Sequence, residues 1–163
     1  KVHAGEKPPF EFYGVHDELG RMFRRKLWLN SGAYLVVERT EALTVIDVNT
    51  GKYTGSVNLE ETVFETNMEA AAEIARVIRL RDLSGIILID FIDMEEEAHR
   101  QRIAEELERL FKKDRTKTLV VGWTRLGLLE VTRKKVGVSL DYALLQPCSH
   151  CQGRGKVYVP FSG

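Results

Sequence analysis

Two stretches of the chain end a run of strand-forming residues on a carboxylate, and together they limit the folds available. Leu43-Thr-Val-Ile-Asp-Val-Asn-Thr-Gly51 carries an apolar run into Asp47, followed by Asn49 and a glycine turn. Gly85-Ile-Ile-Leu-Ile-Asp-Phe-Ile-Asp93 repeats the design and delivers Asp90 to a strand end. A wholly apolar run such as 86–89 reads as a strand from the middle of a sheet, covered on both faces. Two neighbouring strands of this kind can aim Asp47 and Asp90 at one point. Hard oxygen ligands at open strand ends suit Mg²⁺ or Mn²⁺, which take one or two protein carboxylates and keep their waters for a phosphate substrate. Aspartate after a strand is also ordinary turn chemistry, and spacing alone leaves both readings open.

The remaining elements follow in order. Lys1 to Pro9 has no periodicity and reads as a tail or linker. Leu19, Met22 and Phe23 give an amphipathic helix between His16 and Lys26. Strands over 26–29 and 33–38 flank the Asn30-Ser31-Gly32 turn as a hairpin, with 43–49 as a third strand. Leu27, Leu29, Tyr34, Val36, Val45 and Ile46 are the expected core contribution. Lys52, in the loop after Gly51, is a solvated lysine or a phosphate contact. Asn67 is the expected N-cap of a helix over 68–82 that turns Ala71, Ile74, Ala75, Ile78 and Leu83 inward. Asp93 is the expected cap of a helix over 94–113, with Ala98, Ile103, Leu107, Leu110 and Phe111 as its apolar stripe. Its first turn is acidic, where the helix dipole favours negative charge. Strands over 118–123 and 127–133 close the chain's regular part, the last carrying Leu128 and Val131. Strands, helix, strand, helix, strand is the order of a layered α/β sheet with packed helices.

Composition narrows function less than motif does. A chain of 163 residues buries a real core. No apolar run approaches the roughly 20 residues that cross a bilayer, and no secretory pattern opens the sequence, so a cytoplasmic location is expected. The first residue is Lys1, which suggests a fragment of something longer. Net charge is zero, so the whole chain exerts no general pull on nucleic acid. Basic clusters at 21–26, 76–81 and 125–135 are local. His99, on the acidic helix, reads as a surface residue.

Cys148 and Cys151 form one C-x-x-C followed by glycines. The glycines argue against the helix that a redox C-x-x-C opens. Two thiolates are half of a tetrahedral zinc site. A partner chain completes it, or a histidine such as His150 contributes, which is sterically awkward in so short a knuckle. The run also matches the C-x-x-C-x-G-x-G repeat of the DnaJ zinc domain, in a single copy.

Taken in register, the Leu43–Gly51 stretch, Asn67-Met-Glu-Ala-Ala71, Arg79–Met94, Thr124-Arg-Leu-Gly-Leu-Leu-Glu130 and Pro147-Cys-Ser-His-Cys151 resemble the ribonuclease E/G family from about Phe10 to Val157. The resemblance implies a DNase I-like catalytic subdomain over 10–143 and a zinc-link segment over 144–163, with 1–9 as linker. It places the family's two magnesium aspartates on Asp47 and Asp90, and the asparagine that orients the second aspartate on Asn49, an outer-shell task suited to a neutral amide. It places the zinc-link cysteines on Cys148 and Cys151, shared between two chains of a homodimer that a longer protein assembles into a tetramer. Ser149 departs from the proline often found there.

The implied reaction is hydrolysis of single-stranded RNA by a metal-activated water, leaving a 3′-hydroxyl and a 5′-phosphate. Lys117, Arg125, Arg133 and Lys134 are the candidate RNA contacts. The family's S1 domain, 5′-monophosphate pocket and RNase H-like segment have no counterpart in the sequence, so weak or absent activity is expected of the chain alone. Two rival classes stay open: a non-catalytic RNA-binding and oligomerising module of the same fold, and another metal-dependent phosphoesterase.

Overall fold

Alternate residues of the strand Leu43–Asn49 (β3) are buried: Thr44, Ile46 and Val48 point into a core, while Leu43, Val45, Asp47 and Asn49 lie on a half-open surface. That two-residue period sets the whole architecture, because every neighbouring strand obeys it. The computed structural model describes residues 7–51 and 59–159; Lys52 lies outside them. Before β3 come two short helices, α1 (Pro9–Phe12) and α2 (Val15–Met22), and strands β1 (Lys26–Trp28) and β2 (Tyr34–Arg39). After it come α3 (Leu59–Leu80), β4 (Gly85–Asp90), α4 (Glu97–Phe111), β5 (Thr118–Trp123), β6 (Leu129–Arg133) and α5 (Leu140–Leu144). The strands form one mixed sheet in the order β1-β2-β3-β4-β6-β5. Its β3–β4 pair is parallel, connected through α3, and its other pairs are antiparallel. This is the layered α/β sheet expected.

The core lies between one face of the sheet and helices α3 and α4, around Leu35, Ile46, Ile74, Ile78, Ile87, Ile89, Ile103, Leu107 and Leu129. The expectation that 86–89 is covered on both faces is not met. Ile87 and Ile89 are fully buried, whereas Ile86 is 51% exposed and Leu88 half-buried. Tyr34, Val36 and Val45, expected in the core, share the open face and are only half-buried. In β6 the buried alternation is Leu129, Val131 and Arg133, so Leu128 falls outside it.

Helix α3 begins at Leu59, well before Asn67, which is therefore no N-cap. Asn67 is fully buried inside the helix; its Nδ2 donates to the Ile92 carbonyl at 2.8 Å and its Oδ1 accepts the Ile92 N–H at 3.1 Å. Asp93 is no cap either, since α4 starts at Glu97. The N–H groups of Glu95 and Glu96 are instead accepted by the Glu60 carboxylate of α3, each at 3.2 Å. His99 is not on the surface: it is 8% exposed, stacks on Phe64 with ring centroids 4.3 Å apart, and has Nδ1 2.9 Å from Glu60. It takes the place expected of Ala98 in a stripe of His99, Ile103, Leu107 and Phe111, spaced one helical turn apart.

Arg133 is buried between Asp114, whose Oδ2 accepts from Nε at 2.8 Å, and Asp82, which closes α3 in the left-handed conformation at φ 52°. Burial pushes the Asp114 carboxyl up, but bonds from Arg133, the Thr116 N–H and the Thr118 hydroxyl outweigh it, so Asp114 titrates below its ordinary value. A depressed carboxyl stabilises the fold above its unfolded pKa, and the contribution is lost as pH falls through the folded one. Arg133→Ala is expected to cost about 3 kcal/mol at neutral pH, because it strands a buried charge. The variant is also expected to lose less stability than the wild type on acidification below about pH 4, where free aspartate titrates. Urea midpoints measured across pH check both; a wild-type midpoint in the variant contradicts them.

Candidate metal centre

The open face of the sheet carries the site. Cα pairing runs Lys26–Val36, Val36–Asp47 and Asp47–Asp90, a single row across four strands. Adjacent strands lie about 4.8 Å apart, and paired residues present side chains on the same face. Asp47 and Asp90 therefore stand side by side at the carboxyl ends of a parallel pair, where open α/β sheets place ligands. Burial first, and then the negative charges of Asp47 and Asp93, raise the Asp90 carboxyl above its ordinary value. A like-charged pair of this kind attracts a cation.

Asn49, two residues beyond Asp47 on the same face, donates from Nδ2 to Asp47 Oδ2 at 2.6 Å. The amide thus orients the first aspartate; the expected bond to the second, Asp90, is not the one formed. The two carboxylates open into a cleft of about 510 Å³ lined also by Arg25, Lys26, Tyr34, Val36, Glu38 and Val45. Lys26 holds its Nζ 4.2 Å from the centre of the Tyr34 ring. At the end of β3 the backbone of Gly51 meets the β1–β2 turn: a Cβ there would lie 2.0 Å from the Gly32 carbonyl oxygen, so only glycine closes the motif.

Behind the site, α3 ties down the segment that follows Asp90. The Asn67 clamp on Ile92 and the Glu60 bonds to Glu95 and Glu96 fix that backbone from one side. Asn67 stands in a sequence motif where a helix cap is expected, since the same amide chemistry serves a helix terminus and a strand-end clamp. Lys26, Tyr34 and Glu38 were missed as cleft residues; their alternation with Leu27, Leu35 and Val37 was the available signal.

Among the described residues no group of three or more His, Cys, Asp or Glu is arranged to hold a metal ion. Two carboxylates in register, one oriented by a neutral amide, still match the donor set that Mg²⁺ needs, because this ion retains waters in its octahedron. Cys148 is an exposed free thiol and Cys151 a partly buried one. Backbone N–H groups of Cys151 and His150 hold the Cys148 thiol below its ordinary value, and Gly155 N–H points at Cys151 Sγ at 3.3 Å. N–H donors aimed at sulfur favour the thiolate, the form that binds zinc.

The candidate RNA contacts do not gather at this cleft. Arg133 is enclosed by its aspartates and offers a phosphate nothing. Lys117 and Lys134 are exposed and joined through a backbone bond at 3.0 Å. They lie by the β5–β6 residues that pair with the start of β4, the end away from Asp90. Arg125 is exposed beyond β5, at the Asp90 end of the sheet.

The profile of the Ribonuclease E/G family matches residues 1–136. Ribonuclease G of Salmonella typhimurium (strain SL1344) is 48% identical over 155 residues, covering 95% of this chain and 32% of that protein. Ribonuclease G of Escherichia coli (strain K12) gives the same figures. Ribonuclease E of Escherichia coli (strain K12) is 41% identical over 157 residues, 96% of this chain and 15% of its own length. The chain thus spans about a third of the ribonuclease G sequences it matches. A profile match over residues 1–136, together with 48% identity to a ribonuclease G over 95% of the chain, makes this chain a member of the Ribonuclease E/G family.

Proposed function

We propose that this chain is the metal-bearing, DNase I-like subdomain of an endoribonuclease that hydrolyses single-stranded RNA phosphodiesters, with Mg²⁺ held by Asp47 and Asp90. The observation that carries the reading is the in-register pair of carboxylates at the open cleft, one of them oriented by Asn49. Family membership supports ribonuclease chemistry over that of another phosphoesterase.

When bound, a divalent ion supplies Lewis acidity and a water of lowered pKa. The protein's own contribution is positional. Asp47 and Asp90 both line the cleft, and the Asn49 bond occupies one Asp47 oxygen and so restrains the carboxylate. The Asn67 clamp limits movement of the backbone beyond Asp90. Lys26, in the same cross-strand row, places positive charge where a phosphate would enter.

Cys148 and Cys151 supply two of the four ligands of a closed structural zinc site, and a two-fold pair of chains supplies all four. Zinc content of about half an ion per chain, with a dimer that dissociates on chelation, is the expected result; one ion held by a monomer overturns the sharing.

In the full-length enzyme, Asp47→Asn and Asp90→Asn are each expected to lower Mg²⁺-dependent cleavage of single-stranded RNA more than tenfold, at least about 1.4 kcal/mol of barrier. Single-turnover assays at excess protein, run beside duplex RNA and single-stranded DNA, read the effect. Cleavage by either variant within tenfold of wild type contradicts the assignment. Asn49→Ala is expected to impair cleavage most strongly at limiting Mg²⁺.

Because the folded-state value of Asp90 is raised, its ionised form opposes folding above that value and acidification through it relieves the cost. Without divalent ions, Asp90→Asn is therefore expected to unfold at a higher temperature than wild type at neutral pH. A lower melting temperature would count against the like-charge pair.

A further inference from the structure

The cleft over Asp47 and Asp90 continues into a second one. Its walls, about 400 Å³ in extent, bring Arg25 and Arg39 from the β1–β2 edge against Arg154 and Lys156 from the segment after the cysteine knuckle. The two clefts share Arg25 and Glu38. Four cations stand there against one lining carboxylate, Glu38, which pairs with Arg25 at 2.9 Å. Arg39 uses one guanidinium nitrogen on the Ser139 hydroxyl at 2.6 Å. Arg154 and Lys156 are exposed.

Along β2, Glu38 is two residues from Val36, the partner of Asp47, so the basic cleft begins about 7 Å from the metal row. On its other side the metal cleft is bordered by Tyr34, beyond which the surface is aromatic. Trp28 is 65% exposed and its ring lies 5.0 Å from that of Tyr34, a cleft residue. A charged groove beside an exposed aromatic is the arrangement that holds single-stranded nucleic acid, phosphates on the cations and a base stacked on the ring. A duplex cannot offer its bases to such a ring.

We infer that a single RNA strand crosses the Asp47–Asp90 row between these rims, its flanking phosphates held by Arg25, Arg39, Arg154 and Lys156 and an unpaired base stacked on Trp28. The inference rests on the ribonuclease reading above and gives that site its substrate path. It also assigns work to the segment after Cys151, which brings two of the four cations to the sheet. None of these five residues was a candidate contact from sequence, because the two basic walls are more than a hundred residues apart.

The test is fluorescence anisotropy of a labelled ten-nucleotide oligouridylate with the whole chain. No Mg²⁺ or chelator is added, and probe integrity is verified on a gel. Binding is thereby read apart from cleavage, so the metal assignment can fail while the path stands, and the reverse. Arg39→Gln combined with Lys156→Gln is expected to raise Kd about tenfold and to flatten the slope of log Kd against log salt by about 1.4, two single-strand phosphate contacts. Lys117→Gln combined with Lys134→Gln removes the same charge at the other end of the sheet and is expected to change Kd less than about twofold. Trp28→Ala is expected to raise Kd about fivefold or more with the salt slope unchanged. Equal losses for the two charge-removing pairs, an unaffected Kd in Trp28→Ala, or no measurable binding by the wild-type chain at low salt overturns the path.

Discussion

The parallel pairing of β3 with β4 brings two negative charges into contact register, and much of the surrounding structure serves to hold them there. Asp47 and Asp90 are adjacent because Val45 pairs with Leu88 and Ile46 with Ile89 along the same ladder. A slip of one residue would turn Ile46 and Ile89 out of the core. Burial of those two side chains, each completely enclosed, is thus what enforces the electrostatic repulsion at the strand ends. Hydrophobic packing on one face holds a like-charged pair together on the other.

Helix α3 is the second support. Its interior residues Ile74, Val77 and Ile78 pack the core, while Glu60, Asn67 and Glu69 reach backbone groups outside the helix. Glu69 accepts N–H bonds from Asn30 and Ser31 in the β1–β2 turn, at 2.7 and 3.1 Å. Glu60 and Asn67 hold the segment after Asp90. Each bond satisfies a backbone donor or acceptor that a turn would otherwise leave to water, and each fixes a segment that adjoins a strand of the sheet. One helix therefore serves as both core and brace.

Strands, their order in the chain and the strand-end placement of the two aspartates were legible because period-two alternation and strand-end carboxylates are local signals. What was not legible depended on partners distant in sequence. Asn67 looks like a cap because its amide suits one; only Ile92, 25 residues on, reveals a clamp. Asp93 looks like a cap for the same reason, yet a carboxylate from α3 took that work. His99 seemed a surface residue on a charged helix until Phe64 and Glu60 enclosed it. Arg133 read as a free cation because Asp82 and Asp114 lie 51 and 19 residues away. The apolar run 86–89 suggested burial on both faces, but composition does not say which face receives a helix. For the same reason Tyr34, Val36 and Val45 were assigned to a core they only border.

The central claim is that a divalent ion is drawn to the ends of β3 and β4 rather than to the many glutamates elsewhere on the chain. Amide resonances of an isotopically labelled sample titrated with Mn²⁺ test it, since the ion broadens only nearby signals. The account predicts broadening that begins at Asp47, Val48, Asn49 and Asp90 and is lost from them in Asp90→Asn. Broadening centred instead on Glu60, Glu61 and 95–97, or spread evenly over the acidic helix, would contradict it.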